Sequence, residues 1–520
     1  MSTYGSMSHR LYVVFGVGSC LALAACAVGP DFKTPAADVP STWVHDAQAA
    51  PSRPASGEIA ADWWRIYNDP LLPSLEQQVS ESNLDLQAAA FRYAESRAER
   101  TIAGAAQFPM LSGAASYARE RASPNGVLGL LGTGTDNAAG TVATGQQGFG
   151  PSQLPGYDGG SAFDLPQYGL SASWEVDLWG HVRRSVESAG AAARATDDMR
   201  RDILVSLMAT TARDYIDLRA VQAQIAITHQ NLDLSKHSVN LTQLRFRNGA
   251  TTSLDVSNAD AQYDAIQSRL PDLERQQTHL VNALSFLMAR EPGALAQVLA
   301  VSPGIPSVPD IVPVGLPSEL AERRPDIRVA EERLHAATAN VGVAVADFYP
   351  RLTLSGSLDI QALQFSGLGD FASRQYGFGP TISLPIFQGG RLRGQLHLRK
   401  AQQKEAAISY QRVVLSAWHE IDDAMADFNA AQRRRDRLDA ATKENRRALE
   451  VAQIQYAQGA SDFLNVLTVQ NQLLAMQSEL VEAQAATAVS LTQLYKALGG
   501  GWEKAMPLNN MRNTGTIKHL

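Results

Sequence analysis

Residues 391–456 read RLRGQLHLRKAQQKEAAISYQRVVLSAWHEIDDAMADFNAAQRRRDRLDAATKENRRALEVAQIQY, with no proline and, after Gly394, no glycine. A helix through the whole stretch, at ~1.5 Å per residue, is close to ~100 Å long. Val414, Trp418, Ile421, Met425 and Phe428 recur at alternating steps of four and three and make one apolar seam. The faces between them carry Glu420, Asp422, Asp423, Asp427 and the run Arg433-Arg434-Arg435. The pattern breaks at Gln458-Gly459-Ala460-Ser461-Asp462, as a glycine at a helix end breaks it. A second helical run begins at Leu464, with Leu467, Leu473, Leu480, Thr487, Leu491, Leu494 and Leu498 near heptad spacing. No ordinary globular core buries a helix of this length. It has to pair with its return helix and with other copies of itself.

The same pattern occurs earlier in the chain, so the sequence is internally duplicated. Asp85-Leu86, Phe108-Pro109 and Leu111 match Asp326-Ile327, Tyr349-Pro350 and Leu352 at an offset of 241. Gly180, Val182 and Arg183 match Gly390, Leu392 and Arg393 at an offset of 210; so do Phe246, Gly249-Ala250, Leu254 and Val256 with Tyr456, Gly459-Ala460, Leu464 and Val466. Each half reads helix, strand, loop, strand, very long helix, glycine turn, return helix. The first half has the longer loop, a Gly/Ser/Thr/Asn-rich stretch at 122–166 with almost no charge.

The strands show in a change of period from 3.6 to 2. Tyr168, Leu170, Ala172, Trp174, Val176 and Leu178 alternate with Gly169, Ser171, Ser173, Glu175 and Asp177. Leu352, Leu354, Gly356, Leu358 and Ile360 alternate with Thr353, Ser355, Ser357 and Asp359, and Tyr376, Phe378, Ile382, Leu384 and Ile386 with Gly377, Gly379, Thr381 and Ser383. A weaker alternation sets Leu111, Ala115 and Tyr117 against Ser112 and Ser116. An apolar face on strands of this length suits a transmembrane β-strand, although a half-buried strand of a soluble sandwich also alternates. Four strands cannot close a barrel, and open edges in lipid leave backbone groups unsatisfied at several kcal/mol each. The predicted wall therefore closes only through oligomerisation.

A formal net charge of -7 and a pI near 5.8 give no electrostatic reason to expect nucleic acid. A mean hydropathy of -0.16 excludes a polytopic helical membrane protein. The one long apolar stretch spans 11–28, after His9-Arg10 and ending in Leu23-Ala24-Ala25-Cys26. This is an export signal, and the last four residues resemble a lipobox, in which the cysteine is lipidated and becomes the mature N-terminus; the alternatives are an ordinary signal peptide with a chance cysteine, or an anchored helix. Cys20 falls in the discarded piece, so the mature chain has no pair from which to form a disulfide. Residues 27–57 are rich in Pro, Ala and Ser and read as an extended tether. The aromatics Trp63, Trp64 and Tyr67 read as local packing before the first helix, which runs from Leu72 to about Gln107 with a bend near Ser82-Asn83.

No chemistry competes with a structural reading. The histidines are scattered, with no HExxH and no Cys/His pairing. Gly132-Thr133-Gly134 lacks GK[ST], and there is no GxSxG nucleophile elbow. The carboxylates sit on helix faces at spacings where solvated pairs are expected.

Residues 26–32 (Cys-Ala-Val-Gly-Pro-Asp-Phe), Asp177-Leu178-Trp179-Gly180, Leu384-Pro385-Ile386-Phe387 with Gly389-Gly390-Arg391, the two glycine–leucine turns and Leu494-Tyr495-Lys496-Ala497-Leu498 with Gly499-Gly500-Gly501-Trp502 together resemble an outer membrane efflux lipoprotein. The group is the OprM/NodT branch of the TolC-like outer membrane factors, and the resemblance runs from Cys26 to Trp502. It implies a mixed α/β membrane protein: a trimeric twelve-stranded β-barrel, four strands per chain, continuing into a long α-helical periplasmic barrel. It implies the outer membrane of a Gram-negative bacterium, contact with outer membrane lipid, and passive efflux transport rather than catalysis. A periplasmic adaptor (membrane fusion protein) and an inner membrane pump, often of the resistance-nodulation-division type, are the implied partners. No cofactor is implied beyond the diacylglycerol and acyl chain on Cys26.

On this reading the chain divides into a signal peptide (1–25), a lipidated tether (26–57), a first repeat (58–289), a proline-rich linker (290–317), a second repeat (318–502) and a tail (503–520). The first repeat has strands near 109–119 and 167–179 and a long helix near 183–247; the second has strands near 351–361 and 375–387 and a long helix near 391–457. Tyr168, Leu170, Trp174, Val176, Leu352, Leu354, Leu358, Phe378 and Ile382 are expected to face lipid. The resemblance places the two turns at the periplasmic tip, where Gly249 and Gly459 supply the reversal and the adaptor meets residues 247–255 and 458–465. Leu254 and Leu464 line or flank the aperture there, with Asp255 beside the first, or else they are coiled-coil core. Some relatives carry an aspartate and an arginine after the second leucine as a charged latch; Thr468 and Asn471 stand there in this chain. The gate then rests on the leucines and on hydrogen bonds.

Three other readings differ in what they require. A lipid-anchored periplasmic adaptor has one helical hairpin, whereas this chain has two and four amphipathic strands. An enzyme needs a convergent polar constellation. A protein-secretion exit duct shares the fold, and the Cys26–Phe32 signature favours efflux. The exported substrate is not written in the channel.

Overall fold

The computed structural model describes residues 27–35, 53–55, 60–121, 162–309, 311–314 and 323–503. In chain order they form β1 (Arg53–Ala55), a 3-10 turn (Trp63–Tyr67), α1 (Leu72–Ser82), α2 (Leu84–Ala105), β2 (Met110–Glu120), β3 (Phe163–Val176), α3 (His181–Arg247), α4 (Ser253–Gln267), α5 (Leu270–Leu287) and α6 (Ala296–Leu299). Then follow β4 (Ile311–Pro313), α7 (Pro325–Ala346), β5 (Arg351–Gln361), β6 (Arg374–Ser383), α8 (Arg391–Ala457) and α9 (Phe463–Ala497). The two long helices, α3 and α8, are 67 residues each. Cys26 and the loop at 122–161 lie outside the described residues.

The chain divides into two compact units. The first holds the segment up to Phe32 with residues 98–190 and 335–403. Its centre is a four-stranded antiparallel sheet in the order β2-β3-β5-β6. β3 begins four residues before the expected 167 and stops at Val176 rather than 179. It stops because Asp177–Gly180 turn away: Gly180 has φ +86°, and Trp179 donates its indole N–H to the Pro350 carbonyl at 2.9 Å. β6 ends at Ser383 instead of 387, just before Pro385, which has no N–H to give to a ladder.

The N-terminal segment is no free tether. Val28 N–H donates to the Trp179 carbonyl at 3.0 Å, Phe32 stacks on His335 at 4.3 Å, and Arg184 reaches Asp31 at 2.5 Å. Arg184 also holds Glu187, to which His335 is hydrogen-bonded. Burial works against the charge on Glu187, but these two partners outweigh it and keep the carboxyl below its ordinary value. Gly29, at φ +95°, sits so close to Gly342 that an added Cβ would lie 2.5 Å from its Cα. Composition alone reads as a linker here because the contacts are made by backbone and by two glycines, which carry no hydropathy signal.

The second unit holds residues 33–97, 191–334 and the chain from Lys404 onward. Its core gathers Trp63, Tyr67, Leu72, Leu75, Leu204, Met208, Tyr215, Ile421, Met425, Phe428, Leu491 and Tyr495. The aromatics near Trp63 therefore pack far from their own neighbours in sequence: Trp63 stacks on Tyr495 at 5.4 Å, and Tyr67 donates to the Ala488 carbonyl at 2.7 Å. Asp69 starts α1 by accepting the N–H of Leu71 and Leu72, and its other oxygen takes the Tyr215 hydroxyl. The bend near Ser82-Asn83 is a break, with Asn83 capping α2 through the N–H of Asp85 and Leu86. The apolar seam of α8 runs through Ala417, fully buried, while Trp418 is only half-buried.

Two further features depart from the sequence reading. The return helix of the first half is split between Gln267 and Leu270, where Pro271 stands in the first turn of α5; that of the second half is unbroken. The stretch read as tether also contributes β1, which pairs in parallel with β4 of the proline-rich linker.

One buried group has no counterpart among these contacts. Glu76 on α1 is 0 % exposed, and among the described residues neither carboxylate oxygen has a hydrogen-bond partner. Burial holds its carboxyl well above the ordinary value.

Candidate functional site

The registers of the sheet join the four alternations into one face. Leu170 lies opposite Leu358 and Gly113, Trp174 opposite Leu354, and Val176 opposite Leu352. Tyr168 pairs with Ile360, Gly356 with Phe378, and Leu352 with Ile382. Directly opposed residues share a side of the sheet, so all nine apolar residues singled out in the sequence lie on the same side. The other side carries Ser112, Ser171, Ser355, Ser357, Thr353 and Thr381. Phe378 is 87 % exposed and Ile382 71 %; a continuous apolar face of this size has to meet something other than water. β2 and β6 are the outer strands, each with one edge unpaired in the chain.

The two glycine turns have one geometry. Gly249 (φ +70°) and Gly459 (φ +76°) follow α3 and α8. Gly249 N–H donates to Phe246 O at 3.0 Å and Ala250 N–H to Arg245 O at 2.8 Å; Gly459 and Ala460 repeat both bonds, at the same distances, to Tyr456 and Gln455. This pair of bonds satisfies the last carbonyls of a helix around a left-handed residue, which glycine adopts without strain. Beyond the turns, Thr251 bonds Asp255, and Asp462 caps α9 through the N–H of Asn465.

Leu254 and Leu464 are 66 % and 60 % exposed, so within one chain neither is core. The core at this end is Ala259, Leu449, Ala452, Tyr456, Phe463, Val466 and Leu473. Thr468 donates its hydroxyl to the Leu464 carbonyl of its own helix at 2.8 Å, while Asn471 takes a bond from Gln262 at 2.5 Å. Arg245, which the sequence reading passed over, ties the two turns together. Its guanidinium donates to the Tyr456 carbonyl at 2.6 Å and lies 4.6 Å from that ring's centre, so a cation meets the carbonyl end of the other long helix. The duplication held a hint, since Arg245 corresponds to an uncharged Gln455 at the offset of 210.

Among the described residues no group of three or more His, Cys, Asp or Glu is arranged to hold a metal ion, and no helix is long and apolar enough to cross a membrane. The family described as outer membrane efflux protein matches residues 75–290 and 316–500, which spans both repeats. The chain belongs to the outer membrane efflux protein family. It is 30% identical to outer membrane protein OprJ of Pseudomonas aeruginosa over 498 residues, 95% of this chain and 97% of that one. It is 31% identical to the pyoverdine export outer membrane protein OpmQ of the same organism, over 94% of this chain and 96% of that one. Among solved structures, the outer-membrane channel OprN superposes with a TM-score of 0.79 at 32% identity, covering 92% of this chain and all of that one.

As a member of the outer membrane efflux protein family, the chain is the outer membrane channel of a tripartite efflux system in a Gram-negative bacterium, and it conducts substrates passively to the exterior. Its fold is the mixed α/β fold of these channels, with strands for a barrel and long helices for a periplasmic tunnel.

Proposed function

We propose that three copies close the barrel and that the efflux channel works without chemistry of its own. The observation that carries this is the sheet: four strands, one apolar face, and two open outer edges. The nine apolar residues then face lipid, and the serine- and threonine-rich side lines the pore. Cys26 carries the diacylglycerol and acyl chain, which fixes the N-terminus at the membrane. At the other end, residues 247–255 and 458–465 receive a periplasmic adaptor, with Leu254 and Leu464 ringing the aperture and a pump of the resistance-nodulation-division type behind it. The exposure of both leucines supports this, because a side chain left uncovered in one chain is free to meet its copies in three. Gly249, Asp255, Gly459 and Thr468 shape the turns rather than the opening.

The test uses a strain lacking its own outer membrane channel. Expressed with its adaptor and pump, the chain is expected to lower accumulation of an efflux dye severalfold, and expressed alone to leave it unchanged. Labelled palmitate is expected on the wild-type chain and not on Cys26→Ser. Unchanged dye accumulation with adaptor and pump present would refute the reading.

A further inference from the structure

The three registers within the sheet also determine how the open edges meet. A line drawn straight across the strands from Ala115 passes Tyr168 and Ile360 and reaches Arg374, the first residue of β6. The parallel line from Met110, the first residue of β2, passes Ser173 and Ser355 and reaches Gly379. Gly379 is four residues short of the end of β6 at Ser383, and Ala115 is five short of the end of β2 at Glu120. Across three strand spacings the straight line thus climbs by four to five residues relative to the strand ends. Strands whose ends lie level at a membrane surface must tilt by this stagger.

Closing a threefold barrel adds one more step, from β6 to β2 of the next copy, which symmetry places at the same height as the first β2. The stagger per copy must be even, because an odd one turns the apolar face inward. Extended from three steps to four, the observed climb lies between five and seven residues, and six is the even number in that interval. At ~3.4 Å per residue and ~4.8 Å between strands, six gives a tilt of about 46°, at the steep end of barrels, while two gives only about 20°.

We propose, building on the trimer reading above, that β6 of one copy pairs with β2 of the next so that Ser116 lies opposite Gly379, Tyr117 opposite Phe378 and Gly113 opposite Ile382. Side-chain chemistry favours this register over a stagger of four. It sets Tyr117 beside the 87 % exposed Phe378, and Arg119 across from the Tyr376 ring. A stagger of four sets Arg119 directly across from Arg374, like charge facing like. The apolar face also offers room where the proposed register needs it. A groove of about 430 Å³ lies over Gly113 and Ala115, walled by Tyr168 and Leu170, and Ile382 of the neighbouring copy fills it from the open edge.

Cysteine pairs read the register directly, since the sequence has no cysteine after Cys26. Opposed residues have Cβ atoms about 4.5–5.5 Å apart and diagonal ones about 7–8 Å, while a disulfide needs roughly 4 Å. A Cβ added at Gly377 or Gly379 meets nothing within 4 Å, so both sites accept the substitution. In the full-length protein under mild oxidation, Ser116→Cys with Gly379→Cys is expected to give covalent dimers and trimers on a fully denaturing, non-reducing gel. Ser116→Cys with Gly377→Cys, the pair opposed at a stagger of four, is expected to stay largely monomeric there. Efficient linking of the second pair, or of neither, overturns the register. Light scattering of the same variants in mild detergent separates the two levels: trimers with the wrong link refute only the register, while monomers refute the trimer itself.

Discussion

Leu464→Ala is expected to raise the entry of bulky antibiotics several-fold in cells that make the channel without its adaptor, whereas Thr468→Ala leaves entry at the wild-type level. The ranking follows from where the two side chains go. Leu464 stands on the first turn of α9, 60 % exposed, and Leu254 stands at the matching place after the other turn. Three copies bring six such leucines to one end, and a narrow apolar ring obstructs a pore by excluding water. Truncating an exposed leucine leaves the fold nearly unchanged, within about 0.5 kcal/mol, so leakage reports on the aperture rather than on unfolding. Thr468 holds its own helix carbonyl at 2.8 Å and reaches no partner across the tip. Uptake of a large glycopeptide, read as growth inhibition, is the measurement. Greater leakage through Thr468→Ala than through Leu464→Ala would remove the leucines from the gate.

Glu76→Leu is expected to abolish a loss of stability at rising pH that the wild-type chain shows. Burial without a hydrogen-bond partner among the described residues holds the carboxyl well above 4.5 in the folded chain, while the unfolded chain titrates near that value. The folded state therefore binds the extra proton. Below pH ~4.5 both states are protonated and the residue imposes no pH dependence. As pH rises above it, stability falls by about 1.4 kcal/mol per pH unit, until the folded carboxyl itself ionises. Leucine removes the slope and fills the site among Leu72, Leu75 and Val79, so the gap between the variant and the wild type widens from pH 5 to pH 8. Glu76→Gln separates charge from polarity: it buries an amide at some cost but shows no slope over this range. The heat-dissociation midpoint in detergent, followed against pH, checks this; parallel profiles for wild type and Glu76→Leu would show that the group does not titrate in the folded core.

Much of this was legible because it depends on period and on glycine. The helix at residues 391–457 shows its length by lacking proline, and both turns show themselves because a left-handed residue at a helix end selects glycine. The sheet's faces follow from alternation, but only the register shows that four separate alternations make one side. Contacts made by backbone were not legible. The docking of Val28 and Gly29 on Trp179 and Gly342 uses no hydrophobic side chain, and a stretch rich in proline and alanine reads as tether whether or not it is held. Nor does the heptad pattern tell Ala417 from Trp418 as the seam residue, because alanine contributes little to an apolar count yet lets helices approach closely. Position within a repeat left Leu464 open between core and aperture, and its exposure beside a buried Phe463 favours the second. Arg245 escaped notice because a basic residue near a helix end is common, and its partner is a carbonyl more than two hundred residues away.

The central claim is that the chain is a third of a wall. Light scattering on the purified mature protein in mild detergent, corrected for bound detergent, tests it in one number. The account requires a protein mass three times that of one chain, collapsing to a single chain only on heating. A stable, monodisperse single chain, with four strands and two open edges left in solution, would contradict it.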